Sequence, residues 1–301
     1  MELSKNNIKI LVPVPLTHEF SVPLNQALHF NNAYSTEIIL LNVVPDHSLA
    51  DRIMNSTKLK RNNYEASARL RLLANNYFGG EIPGNVNLKV VNGQLVPSIL
   101  KEAENQKCDL IIIKKAEKLK KYFNLLKAEN ADKLIAEAVC PIMTISGRPA
   151  CHRIKDILLP VDIFKQTDNK VAWAISMAKK FSAKLHVVSV VEMDIKPEDS
   201  LSYKKCKKIE NAIRKEGIEV DTALLKSGKK SMAKAVLDYS TELDPDLVMI
   251  MTHKESVLID NYLGSFARQI IHGSPVPVFS AVPGKETILE GFFSTLSAKA
   301  N

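Results

Sequence analysis

The chain has 301 residues, is 46% hydrophobic and 25% charged, and carries a net charge of +8. That length accommodates two domains of about 150 residues, each able to hold its own core, and no apolar run approaches the roughly 20 residues of a membrane-spanning helix. The basic excess is shared by both halves; its lysine clusters, at Lys114, Lys115, Lys118, Lys120 and Lys121 and at Lys204, Lys205, Lys207 and Lys208, have no interleaved aromatics, so a nucleic-acid partner is not expected.

The polar start M-E-L-S-K-N-N leads straight into I-K-I-L-V-P-V-P, Ile8 to Pro15, which reads as a strand without a signal peptide before it. From there, apolar β-rich runs near 8–14, 37–44, 87–91, 109–113 and 141–146 predict buried parallel strands. Helices are predicted between them, near 20–34, 57–78, 95–106 and 129–138. The segment Arg148 to His152 reads as a join.

The pattern then repeats. Ile154 to Asp162 (I-K-D-I-L-L-P-V-D) restates the first strand, with Pro160 on Pro13. Leu41 to Val44 falls near Val188 to Val191, Asp109 to Ile113 matches Asp246 to Ile250, and Cys140 to Ile145 matches Val276 to Ala281. Strands are predicted near 154–161, 184–191, 218–225, 246–252 and 276–282, with helices near 168–181, 199–216, 230–243 and 264–273. A repeat of this length means one small domain written twice, 1–149 and 150–301. Five strands and four crossover helices in each copy predict an α/β fold, two doubly wound, Rossmann-like five-stranded parallel sheets of order 3-2-1-4-5.

In such sheets a ligand sits at the carboxyl ends of the strands, where strand order reverses. In the first half this singles out Pro13, Val14, Pro15, Lys114 and Lys115; in the second, Val161, Asp162, Ile163, Thr252, His253 and Lys254. Gly264-Ser265 stands where the last helix should begin, and exposed amides there favour an anion, although Gly-Ser is also a common structural cap. The equivalent first-half positions are Ala128 and Glu129. A carboxylate at a helix start satisfies the dipole by itself and repels a phosphate. Asp162 offers an acceptor to a base or ribose, or simply caps a loop, where the first half has Pro15. The first half therefore reads as a non-binding copy.

The L-P-V-D ending at Asp162, the T-H at Thr252-His253, the G-S at Gly264-Ser265 and the P-V-P-V from Pro275 to Val278 make the chain resemble a tandem universal stress protein over residues 8–146 and 154–283. In nucleotide-binding members the resemblance implies a loop G-x2-G-x9-G-[S/T]. Here the third glycine and its serine are Gly264 and Ser265, but Met251 and Lys254 occupy the first two glycine positions. The resemblance further implies Asp162 and Ile163 flanking an adenine, Val190 near it, and Gly264, Ser265 and Phe266 at the phosphates of ATP or AMP, in the second half only. It implies a cytoplasmic stress-response protein, with the two domains packed through their final strands as a pseudo-dimer and homodimerisation left open.

No phosphate-cradling G-x-x-x-x-G-K-[ST], dinucleotide G-x-G-x-x-G, nucleophile elbow or kinase set occurs, and the seven histidines have no metal spacing. The chain is not expected to be an enzyme; a flavin or adenylate-forming enzyme on a similar fold finds no site. The alternative is a ligand-free scaffold for protein partners. Cys108, Cys140, Cys151 and Cys206 have no pairing pattern and read as small buried hydrophobes. The apolar tail residues Ile288, Leu289, Phe292 and Phe293 could dock on the body or on a second chain.

Overall fold

The structure, a computed structural model, describes residues 7–45, 56–115, 128–145, 153–161, 168–191, 201–228, 230–252 and 263–281. The join at Arg148 to His152, Cys151 and the tail after Ala281 lie outside them. The chain divides into two compact units, Met1–Ile142 and Met143–Asn301.

The first half runs β1 (Asn7–Pro13), α1 (Ser21–His29), β2 (Ser35–Pro45), α2 (Ser56–Phe78), β3 (Val86–Gly93), α3 (Leu95–Asn105), β4 (Leu110–Lys114), α4 (Ala128–Glu137) and β5 (Ile142–Ile145). The second runs β6 (Asp156–Pro160), α5 (Asp168–Phe181), β7 (Lys184–Val191), α6 (Leu201–Lys215), β8 (Val220–Lys226), α7 (Met232–Leu243), β9 (Leu247–Met251), α8 (Ser265–Gly273) and β10 (Val278–Ala281). Strand order is β3-β2-β1-β4-β5 in the first and β8-β7-β6-β9-β10 in the second, the predicted 3-2-1-4-5 in each. The paired strands with recorded register are parallel.

Continuous apolar strands form because both sheet faces are covered. Ile10 to Val12 and Leu110 to Ile113 are buried without alternation, as are Ile157 to Leu159 and Leu247 to Ile250. The repeated Asp-Leu dipeptide has a mechanical role. In the first half the Lys9 N–H donates to Asp109 Oδ2 (2.8 Å), while the Asp109 N–H donates to the Lys9 carbonyl (2.8 Å). In the second, Lys155 and Asp156 N–H donate to Asp246 Oδ2 (2.6 and 3.0 Å), and the Asp246 N–H returns to the Asp156 carbonyl (2.9 Å). Each aspartate thus registers its strand against the central one. The repeated prolines act alike: the Pro141 carbonyl accepts from Ile111 N–H (3.0 Å) and the Pro277 carbonyl from Val248 N–H (2.9 Å).

One predicted helix is shorter than expected. The stretch 20–34 is a nine-residue α-helix flanked by 3-10 turns at His18–Phe20 and Phe30–Asn32. The second turn is tightened by Ala33 N–H donating to the Phe30 carbonyl (3.1 Å), an i to i+3 bond that ends the regular helix. Elsewhere caps do their usual work. Ser231 Oγ accepts from Lys234 N–H (3.2 Å) at the start of α7 and donates to Gln269 Oε1 (3.0 Å). Ser231→Ala is expected to lower the urea midpoint of the second half by the equivalent of about 1 kcal/mol; an unchanged midpoint would mean the cap is idle.

Cys108, Cys140 and Cys206 are buried thiols, not joined in disulfides. Burial pushes the Cys108 thiol up to about 12 and the Cys206 thiol up to about 11, so both are protonated, poorly nucleophilic packing groups.

Candidate functional site

The carboxyl ends of β6 and β9 frame the crevice in the second half, because strand order reverses between them. Val161 follows β6 and is held by its N–H donating to the Val188 carbonyl (2.7 Å). Val190, near the end of β7, is half-buried and pairs in register with Leu225. Val161 thus stands at the carboxyl end of β6 and Val190 near that of β7. Asp162, Ile163, His253 and Lys254 lie outside the described residues.

Gly264 is the N-cap of α8, with φ −56° and ψ 149°. That backbone is open to any residue, so the glycine is not required by conformation. Its consequence is different: among the described residues no side chain caps the helix. The first turn closes when the Arg268 N–H donates to the Gly264 carbonyl (3.0 Å), which places the amides of Ser265, Phe266 and Ala267 ahead of the intrahelical ladder. Ser265 is exposed and Phe266 half-buried. Since α8 follows β9 and leads into the parallel β10, these amides stand at the carboxyl edge of the sheet. The contrast with α7, capped by Ser231, is direct.

In the first half the corresponding helix α4 begins at exposed Ala128 with Glu129 in its first turn. A carboxylate there occupies the electrostatic role an anion would take. Thr252 and Met251 are committed as well. The Thr252 Oγ1–H and N–H both donate to the Ala281 carbonyl (3.1 Å each), tying the end of β9 to β10, and Met251 is 7% exposed.

One residue near the second-half crevice was not picked out from sequence. Lys170, in the first turn of α5, is buried, and its ammonium donates to the Pro160 carbonyl (2.6 Å) at the end of β6. The repeat puts Pro23 at the matching first-half position. A lysine where the other copy has Pro23 was the available signal; its burial was not readable from a single sequence.

The first half also carries a cavity. It measures about 410 Å³ and opens at the carboxyl ends of β1 and β2, walled by Val14, Leu16, Val43, Val44, Ala66 and Leu95. Across the crevice, Lys114 Nζ pairs with Glu19 Oε2 (3.4 Å), and burial lowers the Lys115 amine to about 8.

Among the described residues the histidines do not gather. His186, buried, places Nε2 2.8 Å from Asp156 Oδ1 and Nδ1 2.9 Å from Asp221 Oδ1, toward the amino ends of β6 to β8 and away from the crevice. Among the described residues no cluster of three or more His, Cys, Asp or Glu could hold a metal ion, and no helix is long and apolar enough to cross a membrane.

Two successive doubly wound α/β units, each with a crevice at its carboxyl edge, define a tandem Rossmann-like protein. The chain belongs to the universal stress protein family, whose model matches it twice, over residues 7–146 and 153–280. It is similar to a universal stress protein from Archaeoglobus fulgidus DSM 4304, at 22% identity over 94% of this chain and 100% of that one, with a TM-score of 0.65. A putative universal stress protein from Pseudomonas aeruginosa UCBPP-PA14 is 16% identical over 95% and 96% of the two chains, with a TM-score of 0.59. These likenesses describe the fold. No curated protein matches the chain.

Proposed function

We propose that the protein is a stress-response binding protein whose second half alone takes an adenine nucleotide, ATP or AMP, and that it acts by binding rather than by catalysis, in the cytoplasm. The observation that carries this reading is the uncapped start of α8. Among the described residues Gly264 leaves three amides without a side-chain acceptor at the carboxyl edge of the sheet, with Ser265 exposed beside them. In this reading Phe266 backs the same phosphate site, Val190 lies against the adenine, and Asp162 with Ile163 flanks it. Thr252, His253 and Lys254 line the loop between. Glu129 at the start of α4 argues against a second phosphate site in the first half.

Equilibrium dialysis of the full chain against ATP and AMP tests the reading. Saturable binding of one nucleotide per chain is expected, and Gly264→Asp should weaken it roughly tenfold or more by adding a carboxylate at the helix start. No saturation at millimolar nucleotide would remove the ligand from the proposal.

A second reading, a scaffold for protein partners without a ligand, is favoured by Thr252 and Met251. The hydroxyl of the first is spent on Ala281, and the second is a buried side chain where a glycine would let phosphates approach. Absence of nucleotide binding together with specific capture of a partner would select it.

A further inference from the structure

We propose that the first half holds a separate small-molecule site, for an apolar carboxylate of the medium-chain fatty acid class, in the cavity at the carboxyl ends of β1 and β2. The volume, about 410 Å³, lies within the range of small-ligand sites. Its walls set the class of ligand. Val14, Leu16, Val43, Val44, Ala66 and Leu95 offer hydrocarbon to whatever enters. Pro13 and Pro15 add rings without an N–H.

The one buried polar side chain on the lining is committed. Asn42 is 8% exposed, and its Nδ2 donates to the Val14 carbonyl (3.0 Å), fixing the back wall. A purine needs several hydrogen-bond partners to be buried without loss, whereas a hydrocarbon needs none. Half-buried Asn62 is the other amide on the lining, too few partners for a purine, so the half whose helix start is closed to phosphate by Glu129 also has a cavity better suited to an alkyl chain than to a base.

The rim sets the charge. Glu65 and Arg69 lie one turn apart on α2, both exposed and both on the lining. Glu65 is held by Arg61 (Nε to Oε1, 3.6 Å), while Arg69 makes no ion pair among the described residues. Among the described residues the unmatched charge at the mouth is a guanidinium, the group whose forked donors suit a carboxylate. An alkyl body inside and a carboxylate at Arg69 satisfy both observations.

The probes are hexanoate, octanoate, decanoate, decanol and AMP, titrated onto the full chain by calorimetry. The methyl signals of Val43 and Val44 are followed in parallel. Decanoate is expected to saturate one site per chain and to shift those methyl groups. Affinity should rise roughly fourfold per added methylene along the series. Decanol should bind about tenfold more weakly, and Arg69→Gln should cost decanoate about tenfold while leaving decanol unchanged. Ala66→Phe, which fills the wall, should abolish binding; if that variant does not fold, Arg69→Gln and the chain-length series carry the test. Millimolar AMP and Gly264→Asp should leave decanoate binding untouched, which separates this site from the nucleotide site of the second half. The proposal is overturned if decanoate does not saturate below its aggregation limit, if decanol binds as tightly, if AMP displaces decanoate, or if a folded Ala66→Phe protein binds decanoate as before.

Discussion

Phe279→Ala is expected to cost the second half about 3–5 kcal/mol, the range for an aromatic deleted from a packed core. Phe279 is fully buried in β10, in register with Met249 of β9. Its ring centroid lies 5.6 Å from that of Trp173 on α5, at an interplanar angle of 49°, and Trp173 is 2% exposed. The pairing of β10 along β9 holds the backbone in place, so the surroundings can close only partly over the missing ring. The chain has one tryptophan, which makes the consequence readable. Its emission should shift to the red in the native variant. On urea titration, the fluorescence midpoint should fall well below that of the parent protein. The far-UV signal reports both halves and should move less, since two domains need not unfold as one transition. Unshifted emission, or a loss below about 1 kcal/mol, would mean that the ring pair is peripheral to the core.

Much of this fold was legible because the chemistry that encodes it is local or repeated. Asp109 and Asp246 could be matched by eye, and their equal role in binding the amides of the central strand explains why both copies need the dipeptide. Buried parallel strands announce themselves by unbroken apolar runs such as Leu110 to Ile113. The division of the first predicted helix was harder. A 3-10 turn at Phe30–Asn32 differs from α-helix only in which carbonyl each amide finds, and side-chain periodicity hardly records that difference.

Site residues divide in the same way. Gly264 was readable as a cap because capping depends on near neighbours in sequence. The orientation of the Thr252 hydroxyl toward Ala281 was not, because it is decided by a strand 29 residues further on. The first-half cavity was beyond reach for a related reason. Empty space arises from how Val14, Val43, Ala66 and Leu95 meet across three elements and the loop after β1, and no one segment contains it.

Glu210→Gln is expected to lower the stability of the second half by roughly 2 kcal/mol at neutral pH and to flatten its response to acid. Glu210 lies on the buried face of α6, with 9% of its side chain exposed. It accepts from Lys207 Nζ (2.8 Å), from Arg214 Nε and Nη2 (3.1 and 3.0 Å) and from Thr222 Oγ1 on β8 (2.7 Å), so one carboxylate fastens the helix to the edge of its sheet. The Lys207 ammonium, followed by the Thr222 hydroxyl and the Arg214 guanidinium, overcomes the opposing effect of burial and holds the carboxyl down at about 2, against 4.5 when unperturbed. A depressed value means that the unfolded chain takes up the proton first. The stabilisation is therefore complete above pH 4.5 and is lost as pH falls toward 2. Lys207 and Arg214 are 43% and 55% exposed, so solvent screens their attraction and the measured loss should fall short of the full shift. Glutamine keeps the shape and one acceptor but cannot carry the charge. Wild type and variant should thus differ in urea midpoint at pH 7 and at pH 5, then converge by pH 2. Every other ionisable side chain is common to the two proteins, which is why the difference between the two curves isolates Glu210. A gap that persists undiminished to pH 2 would assign the loss to packing rather than to charge.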